Sequence, residues 1–265
     1  FAGLAYGGGA FDPDKIMASV AAFAAFCLGS SAVYVINDLL DRERDRLHPV
    51  KRLRPIASGA IQPTQAIVLA ALLAAAALGI AATLGSMLWA LLGYFLLQAF
   101  YTPLLKNIVL LDVFCIATGF SLRVLAGVWA VDAILSPWLV ACTVQLALFL
   151  ALCKRRAEVA NLEETGGASA QRPILAAYAG PGTDMMVGIM GAVLLVTYTL
   201  YTLLPAEVLA SATPGLESRA GEPGMVFTLP FVYYGVLRYL HLVYGHGKGE
   251  RPERIATMDL PMILA

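Results

Sequence analysis

The sequence predicts an all-α, polytopic transmembrane helix bundle. Three observations carry this expectation. Of 265 residues, 59% are hydrophobic and 14% are charged, against the roughly 25% charged that soluble domains carry. Several apolar runs approach or exceed the roughly 20 residues that cross a bilayer as a helix. The Lys and Arg residues gather between those runs, on alternate loops. Net charge is zero, so no global basic field points to nucleic acid. Cys27, Cys115, Cys142 and Cys153 lie singly in apolar segments and read as packing residues.

Taken in order, FAGLAYGGG reads as the end of an earlier element. The first span runs about Ile16–Asn37 and continues as helix into an acid cluster. Pro63 opens the second, about Thr64–Leu84, because a first-turn N–H has no helical acceptor to lose. A Gly-Ser turn leads to the third, about Met87–Tyr101, and Pro103 breaks the loop after it. The fourth spans about Val109–Val131 and the fifth about Pro137–Cys153, followed by a polar loop starting KRRAEV. The sixth is about Asp184–Leu204 and the seventh about Met225–Val243, with His241 and His246 read as loop residues at its end. DLPMILA begins an eighth. The sequence starts without Met and stops within an apolar run, so both ends read as truncated. Residues 1–265 read as a single helical domain.

Of 18 Lys and Arg residues, 15 fall in four loops: Arg42–Arg54, Lys106, Lys154–Arg172 and Arg238–Arg254. These loops alternate along the chain and must share one side. The positive-inside rule makes that side cytoplasmic; the expected location is a bacterial-type inner (plasma) membrane, with the active site facing the cytoplasm. Arg123 remains inside the fourth span, where a charge needs a partner or a polar cavity. Asp112 lies 11 residues earlier on roughly the same face.

YVINDLLDRERDRLHPVKRLRPIASG concentrates the chemistry. Asp38, Asp41 and Asp45 stand at i, i+3 and i+7, one face of a continuing helix. Like charges so placed repel unless a cation sits between them. Mg²⁺ prefers oxygen ligands and completes its shell with phosphate and water. Lys51 and Arg54, with His48 and Arg52 nearby, suit the phosphate oxygens left over. Asn37 adds a neutral oxygen. The same spacing also suits a solvated helix end laced by pairs such as Asp38–Arg42 and Asp41–Arg44. Tyr101 and Lys106 flank the third span. Lys154, Arg155 and Arg156, with Glu158 one turn on, lie on the same membrane side, where these groups are expected to converge on one pocket.

NDLLDRERD, followed by HPxKxxRPIASG, resembles the first Asp-rich motif, NDxxDxxxD, of the UbiA superfamily of intramembrane prenyltransferases. The resemblance implies a bundle of nine helices, the first mostly absent here and the last cut short. It also implies Mg²⁺-dependent transfer chemistry. Members with a prenyl diphosphate donor carry a second Asp-rich motif on a later helix. KRRAEVANLEETG stands there instead. With YTPLLK and Arg123-xxx-Gly127, this is similar to one branch, the decaprenyl-phosphate phosphoribosyltransferases. That branch implies phosphoribosyl diphosphate as donor, polyprenyl phosphate as acceptor, and a product used in cell-wall arabinan synthesis.

By resemblance, Asp38, Asp41 and Asp45 would hold Mg²⁺ and act with Lys106 in catalysis. Asn37, Lys51, Arg54, Tyr101, Arg123, Lys154, Arg155, Arg156 and Glu158 would bind substrate. Two alternatives stay open: prenyl transfer to an aromatic or quinone precursor, and membrane transport. The sequence leaves the oligomeric state unassigned.

Overall fold

A computed structural model describes residues 12–47, 51–133, 135–164, 173–204, 224–246 and 259–263. The FAGLAYGGG opening, His48 and most of the loops after Glu164, Leu204 and His246 lie outside the described residues. Nine α-helices run in order among those residues: α1 (Pro13–Leu40), α2 (Arg42–Arg46), α3 (Pro63–Ala82), α4 (Met87–Tyr101), α5 (Leu111–Trp129), α6 (Pro137–Glu164), α7 (Pro181–Leu203), α8 (Leu229–His246) and α9 (Leu260–Ile263). Short 3-10 turns stand at Lys51–Leu53, Leu105–Asn107, Pro173–Tyr178 and Met225–Thr228. No strand occurs among the described residues.

Among the described residues, six segments are long and apolar enough to cross a membrane: α1, α3, α5, Pro137–Asn161 of α6, α7 and Met225–Gly245. The chain is a multi-pass membrane protein. The third expected span, α4, has 15 residues, about 22 Å of helix, short of a hydrocarbon core of about 30 Å. Large apolar side chains such as Phe23, Trp89, Leu96 and Leu237 face outward, as lipid exposure allows.

Two compact units make up the chain. Unit 1 is Phe1–Pro103 with Leu122–Ile134, and unit 2 is Leu104–Ser121 with Leu135–Ala265. In unit 1, α1 packs chiefly on α3. Apart from Phe26, the buried positions are small: Ser19, Ala22, Ala25, Gly29 and Ala32 on α1, and Ala66, Ala70, Ala77 and Ala81 on α3. In lipid no hydrophobic force drives helices together, so association depends on close van der Waals approach, which small residues permit. Asp12 starts α1: its Oδ1 accepts from the Asp14 N–H at 3.0 Å, ahead of Pro13 in the first turn. In unit 2, α6 packs on α7 around Phe149, Leu152, Cys153, Val187, Leu194 and Tyr239.

Four expectations change. The helix does not continue unbroken through the acids: α1 ends at Leu40, and Asp41 (φ −87°, ψ 3°) separates it from α2. The break is slight, because the Asp41 N–H still reaches Asn37 O (2.9 Å) and the Asp45 N–H reaches Asp41 O (2.8 Å). The fifth span does not give way to a loop at Cys153. α6 runs on to Glu164, since Lys, Arg, Ala, Glu and Leu are good helix formers and no Gly intervenes before Gly166. His241 and His246 are helical residues of α8. Arg238 also lies on α8 and pairs with Asp259 at 2.9 Å.

A Cβ at Gly29 would meet Leu91 Cδ1 at 3.1 Å and Phe95 Cζ at 3.2 Å, whereas one at Gly79 meets nothing within 4 Å. Gly29→Leu should therefore lower the melting temperature in detergent by several degrees, from about 1–3 kcal/mol of overpacking. Gly79→Ala should leave it unchanged or raise it. Equal effects of the two changes would show that the close approach of α1 and α4 does not limit stability.

Candidate functional site

In unit 1 the acid cluster is built by folding the chain back after α2. Arg46 Nε donates to the Ala57 carbonyl at 3.0 Å. Ile56 and Ala57 bury beneath it. Ser58 N–H reaches Arg54 O at 2.8 Å, and Gly59 (φ +85°) turns the chain toward α3. Only glycine adopts that backbone without strain, which is the physical content of the Gly in RPIASG.

The return places Arg54 between two acids. Its Nη1 donates to Asp38 Oδ1 and to Asp45 Oδ2, both at 2.8 Å. Asp45 is 4% exposed at its side chain, Asp38 32% and Arg54 41%. The charges of Asp41 and Lys51 also act on Asp38. The helix-end pairs proposed for a solvated face do not hold Asp38, whose cation comes from sixteen residues on. Arg42 and Arg46 instead pair with Glu43, at 3.2 and 3.0 Å.

The arrangement suits a divalent cation. Two hard oxygen donors already share one cationic nitrogen at 2.8 Å. Mg²⁺ asks the same donors to share a centre at about 2.1 Å. Among the described residues, no three His, Cys, Asp or Glu side chains converge closely enough to hold a metal without rearrangement. The fit therefore rests on Arg54 giving way, and its exposure allows that.

Asn37 Oδ1 accepts from Thr102 Oγ1 at 2.8 Å, joining α1 to the end of α4 beside half-buried Tyr101. Asn37 and Thr102 also line a groove of about 530 Å³ between α1, α3 and α4. Its walls are apolar and largely small, including Ala32, Val33, Ile36, Ala70, Ala74 and Phe95. Such a volume lies within the range of ligand pockets. Deeper in unit 1, the Arg123 guanidinium lies 5.2 Å from the centre of the Tyr94 ring. Its Nη2 is 3.3 Å from Tyr94 Oη and 3.5 Å from Ser30 Oγ. A cation–π contact and two hydroxyls are a sound setting for an intramembrane guanidinium.

Unit 2 holds the other expected residues. Lys106 is half-buried on the turn Leu105–Asn107. Lys154, Arg155, Arg156 and Glu158 lie on the extension of α6 past Cys153. Arg156 Nε donates to Asp184 Oδ1 at 2.8 Å and lies over the Tyr244 ring, whose hydroxyl also donates to Asp184. Arg155 is buried and pairs with Glu158 and Asp112. Asp112, expected near Arg123, gives its carboxylate to Arg155 and to the Tyr178 hydroxyl. Burial and the Asp112 carboxylate push the Tyr178 phenol well above its usual pKa, so it stays a neutral donor at physiological pH.

Sequence reading missed Thr102, Tyr94, Ser30, Tyr178, Asp184 and Tyr244. Asp184 offered a signal, as a carboxylate in the first turn of an apolar helix. The hydroxyl residues offered none, being common in membrane helices.

The sequence model of the UbiA prenyltransferase family matches residues 1–254. A decaprenyl-phosphate phosphoribosyltransferase of Mycolicibacterium smegmatis is 34% identical over 251 residues, covering 94% of this chain and 77% of the relative. One of Corynebacterium glutamicum is 32% identical over 260 residues, covering 97% and 75%. Among solved structures, a UbiA homologue from Archaeoglobus fulgidus bound to DMAPP and Mg²⁺ superimposes with a TM-score of 0.72. It is 18% identical, and the match covers 94% of this chain and 83% of that one.

Arg54→Ala should expose the repulsion between Asp38 and Asp45. The expected outcome is a lower melting temperature in metal-free buffer, with Mg²⁺ restoring more of it than in the unmodified protein. A melting curve insensitive to both changes would remove the electrostatic basis of the site.

Proposed function

The chain belongs to the UbiA prenyltransferase family, and from that premise we propose that this membrane transferase moves 5-phosphoribose from phosphoribosyl diphosphate to a polyprenyl phosphate, using Mg²⁺ and releasing diphosphate. The observation that carries the reading is the stretch of α6 just past Cys153. Lys154, Arg155 and Arg156 stand there with Glu158, where a prenyl diphosphate donor would call for a second set of acids. A donor with one diphosphate and one monophosphate, and an acceptor with a second monophosphate, needs one metal site and several cations. The relatives' names agree with that donor and acceptor.

In this reading Phe1–Ala265 works as one transferase domain. Asp38, Asp41 and Asp45 hold Mg²⁺, with Asn37 beside them. A metal held there would supply charge neutralisation for a diphosphate leaving group. Arg54, released from Asp38 and Asp45, and Lys51 contact donor phosphate oxygens. Lys106, Lys154 and Arg156 take the phosphates that no metal serves. Tyr101 and Arg123 line the polar wall. The groove beside Asn37 and Thr102 receives part of the acceptor's apolar chain.

A phosphate oxygen of the lipid forms a bond to ribose C1 as the bond from C1 to the diphosphate oxygen breaks. The bonding electrons leave with diphosphate, and the centre passes through an oxocarbenium-like state. The acceptor is already ionised, so the protein removes no proton. Its residues instead orient the two phosphates in line and exclude water. The Lys- and Arg-rich side faces the cytoplasm of a plasma membrane, where a soluble sugar phosphate donor is available. Cell-wall arabinan synthesis is the use proposed for the product.

The test is product analysis after incubation with polyprenyl phosphate and either labelled phosphoribosyl diphosphate or a prenyl diphosphate, with and without EDTA. The expected product is the lipid-linked phosphoribose, formed only with Mg²⁺; a prenylated product alone would overturn the donor assignment. Asp41→Ala should lower transfer by at least about 100-fold at saturating Mg²⁺, with the melting temperature preserved. Retained activity would remove Asp41 from the metal site. Lys154→Ala and Arg156→Ala should each raise a Michaelis constant by about 10-fold, and unchanged constants for both substrates would argue against phosphate contact.

A further inference from the structure

Arg155 stands apart from its neighbours Lys154 and Arg156. It is 2% exposed, and the two groups it meets with Tyr178 are as closed: Asp112 is 1% exposed and Tyr178 0%. We infer that Arg155 is a positioning residue whose buried ion pair, completed by Tyr178, fixes the Lys106 turn in register with the cationic stretch of α6. This rests on the phosphate-binding role proposed for Lys106, Lys154 and Arg156.

The connections run through named atoms. Arg155 Nε lies 3.3 Å from Asp112 Oδ2, and Nη1 donates to Glu158 Oε2. Asp112 Oδ1 accepts from the Tyr178 hydroxyl. That hydroxyl in turn accepts from the Leu110 N–H at 2.9 Å. Leu110 has φ +68°, a left-handed backbone that a leucine adopts only when its surroundings hold it. It stands four residues after Lys106, and the turn closes onto α5 through the Asp112 N–H to Ile108 O (3.2 Å) and the Phe114 N–H to Leu110 O (2.9 Å). One chain of polar contacts thus links α6, the first turn of α5, the Lys106 loop and the turn Pro173–Tyr178.

Arg155 cannot turn toward a phosphate without stranding the Asp112 carboxylate, which has no water to fall back on. Glu158 is engaged in the same way, as a partner of Arg155. Lys154 and Arg156, on either side, are half-exposed, and the Asp184 partner of Arg156 is 40% exposed, so water can replace that contact. The position between two phosphate-binding cations is therefore spent on holding them in place. Buried polar networks of this kind act as a unit, and removing one member loosens the rest.

The experiment compares Tyr178→Phe, Arg155→Lys and the double variant with the unmodified protein. Both Michaelis constants, kcat and the melting temperature are measured, with whichever donor the unmodified protein uses, so that a wrong donor assignment shows in the unmodified protein alone. Tyr178→Phe removes one hydroxyl and keeps the ring, so it should fold. The expected result is a rise of about 10-fold or more in one or both Michaelis constants for Tyr178→Phe, a similar rise for Arg155→Lys, and a double variant no worse than the larger single effect. Normal constants in Tyr178→Phe beside raised ones in Arg155→Lys would make Arg155 a substrate contact and overturn the inference. Additive losses would do the same. A lower melting temperature with both constants unchanged would reduce the network to a structural one.

Discussion

Two carboxylates on one guanidinium nitrogen set the character of unit 1. Asp38 and Asp45 would repel each other at the end of a membrane helix, and Arg54 holds them together at 2.8 Å apiece. The fold-back through Ile56, Ala57 and Gly59 exists to bring that arginine home. Its enthalpy is not the point, because a half-exposed ion pair contributes little to stability. What matters is the geometry: the two carboxylates are held close enough for a single cationic group to serve both.

The helix packing that presents this cluster follows a different rule. Most of the positions that α1 and α3 bury are alanine, so the backbones can approach closely and van der Waals contact replaces the hydrophobic force that lipid removes. The same small side chains leave the groove beside Asn37 unfilled, since alanines at Ala70, Ala71 and Ala74 cannot reach across it. Close packing on one face of α3 and an empty apolar channel on another come from one residue choice.

Much of this was legible in the sequence. Hydropathy located the six membrane-length segments, all but the end of Pro137–Asn161 to within a few residues, and the Asp38–Asp41–Asp45 spacing marked the cluster before any coordinate. Hydropathy failed where it was asked about helicity. α6 continues for eleven residues past Cys153, to Glu164, because leaving the apolar layer does not end a helix whose residues favour one. The break at Asp41 was invisible for the opposite reason: nothing but backbone geometry marks it. Partner identity was the hardest to read. Sequence spacing put Asp112 on the Arg123 face, but Asp112 was taken by Arg155, forty-three residues away. Spacing along one helix carries no information about which other helix arrives beside it.

Two arginines with acid partners therefore do opposite work, and burial decides which. Arg54 is 41% exposed, and water can solvate its partners if it leaves, so a metal and a phosphate can take over its contacts at modest cost. Arg155 is 2% exposed, and leaving would strand a buried carboxylate, which costs several kcal/mol in proteins generally. A cation meant to be exchanged during turnover has to stand where solvent can replace it. One meant to preserve geometry has to stand where nothing can. Charge alone does not tell the two arginines apart; charge with solvent access does, because only Arg54 stands where water can replace its partners.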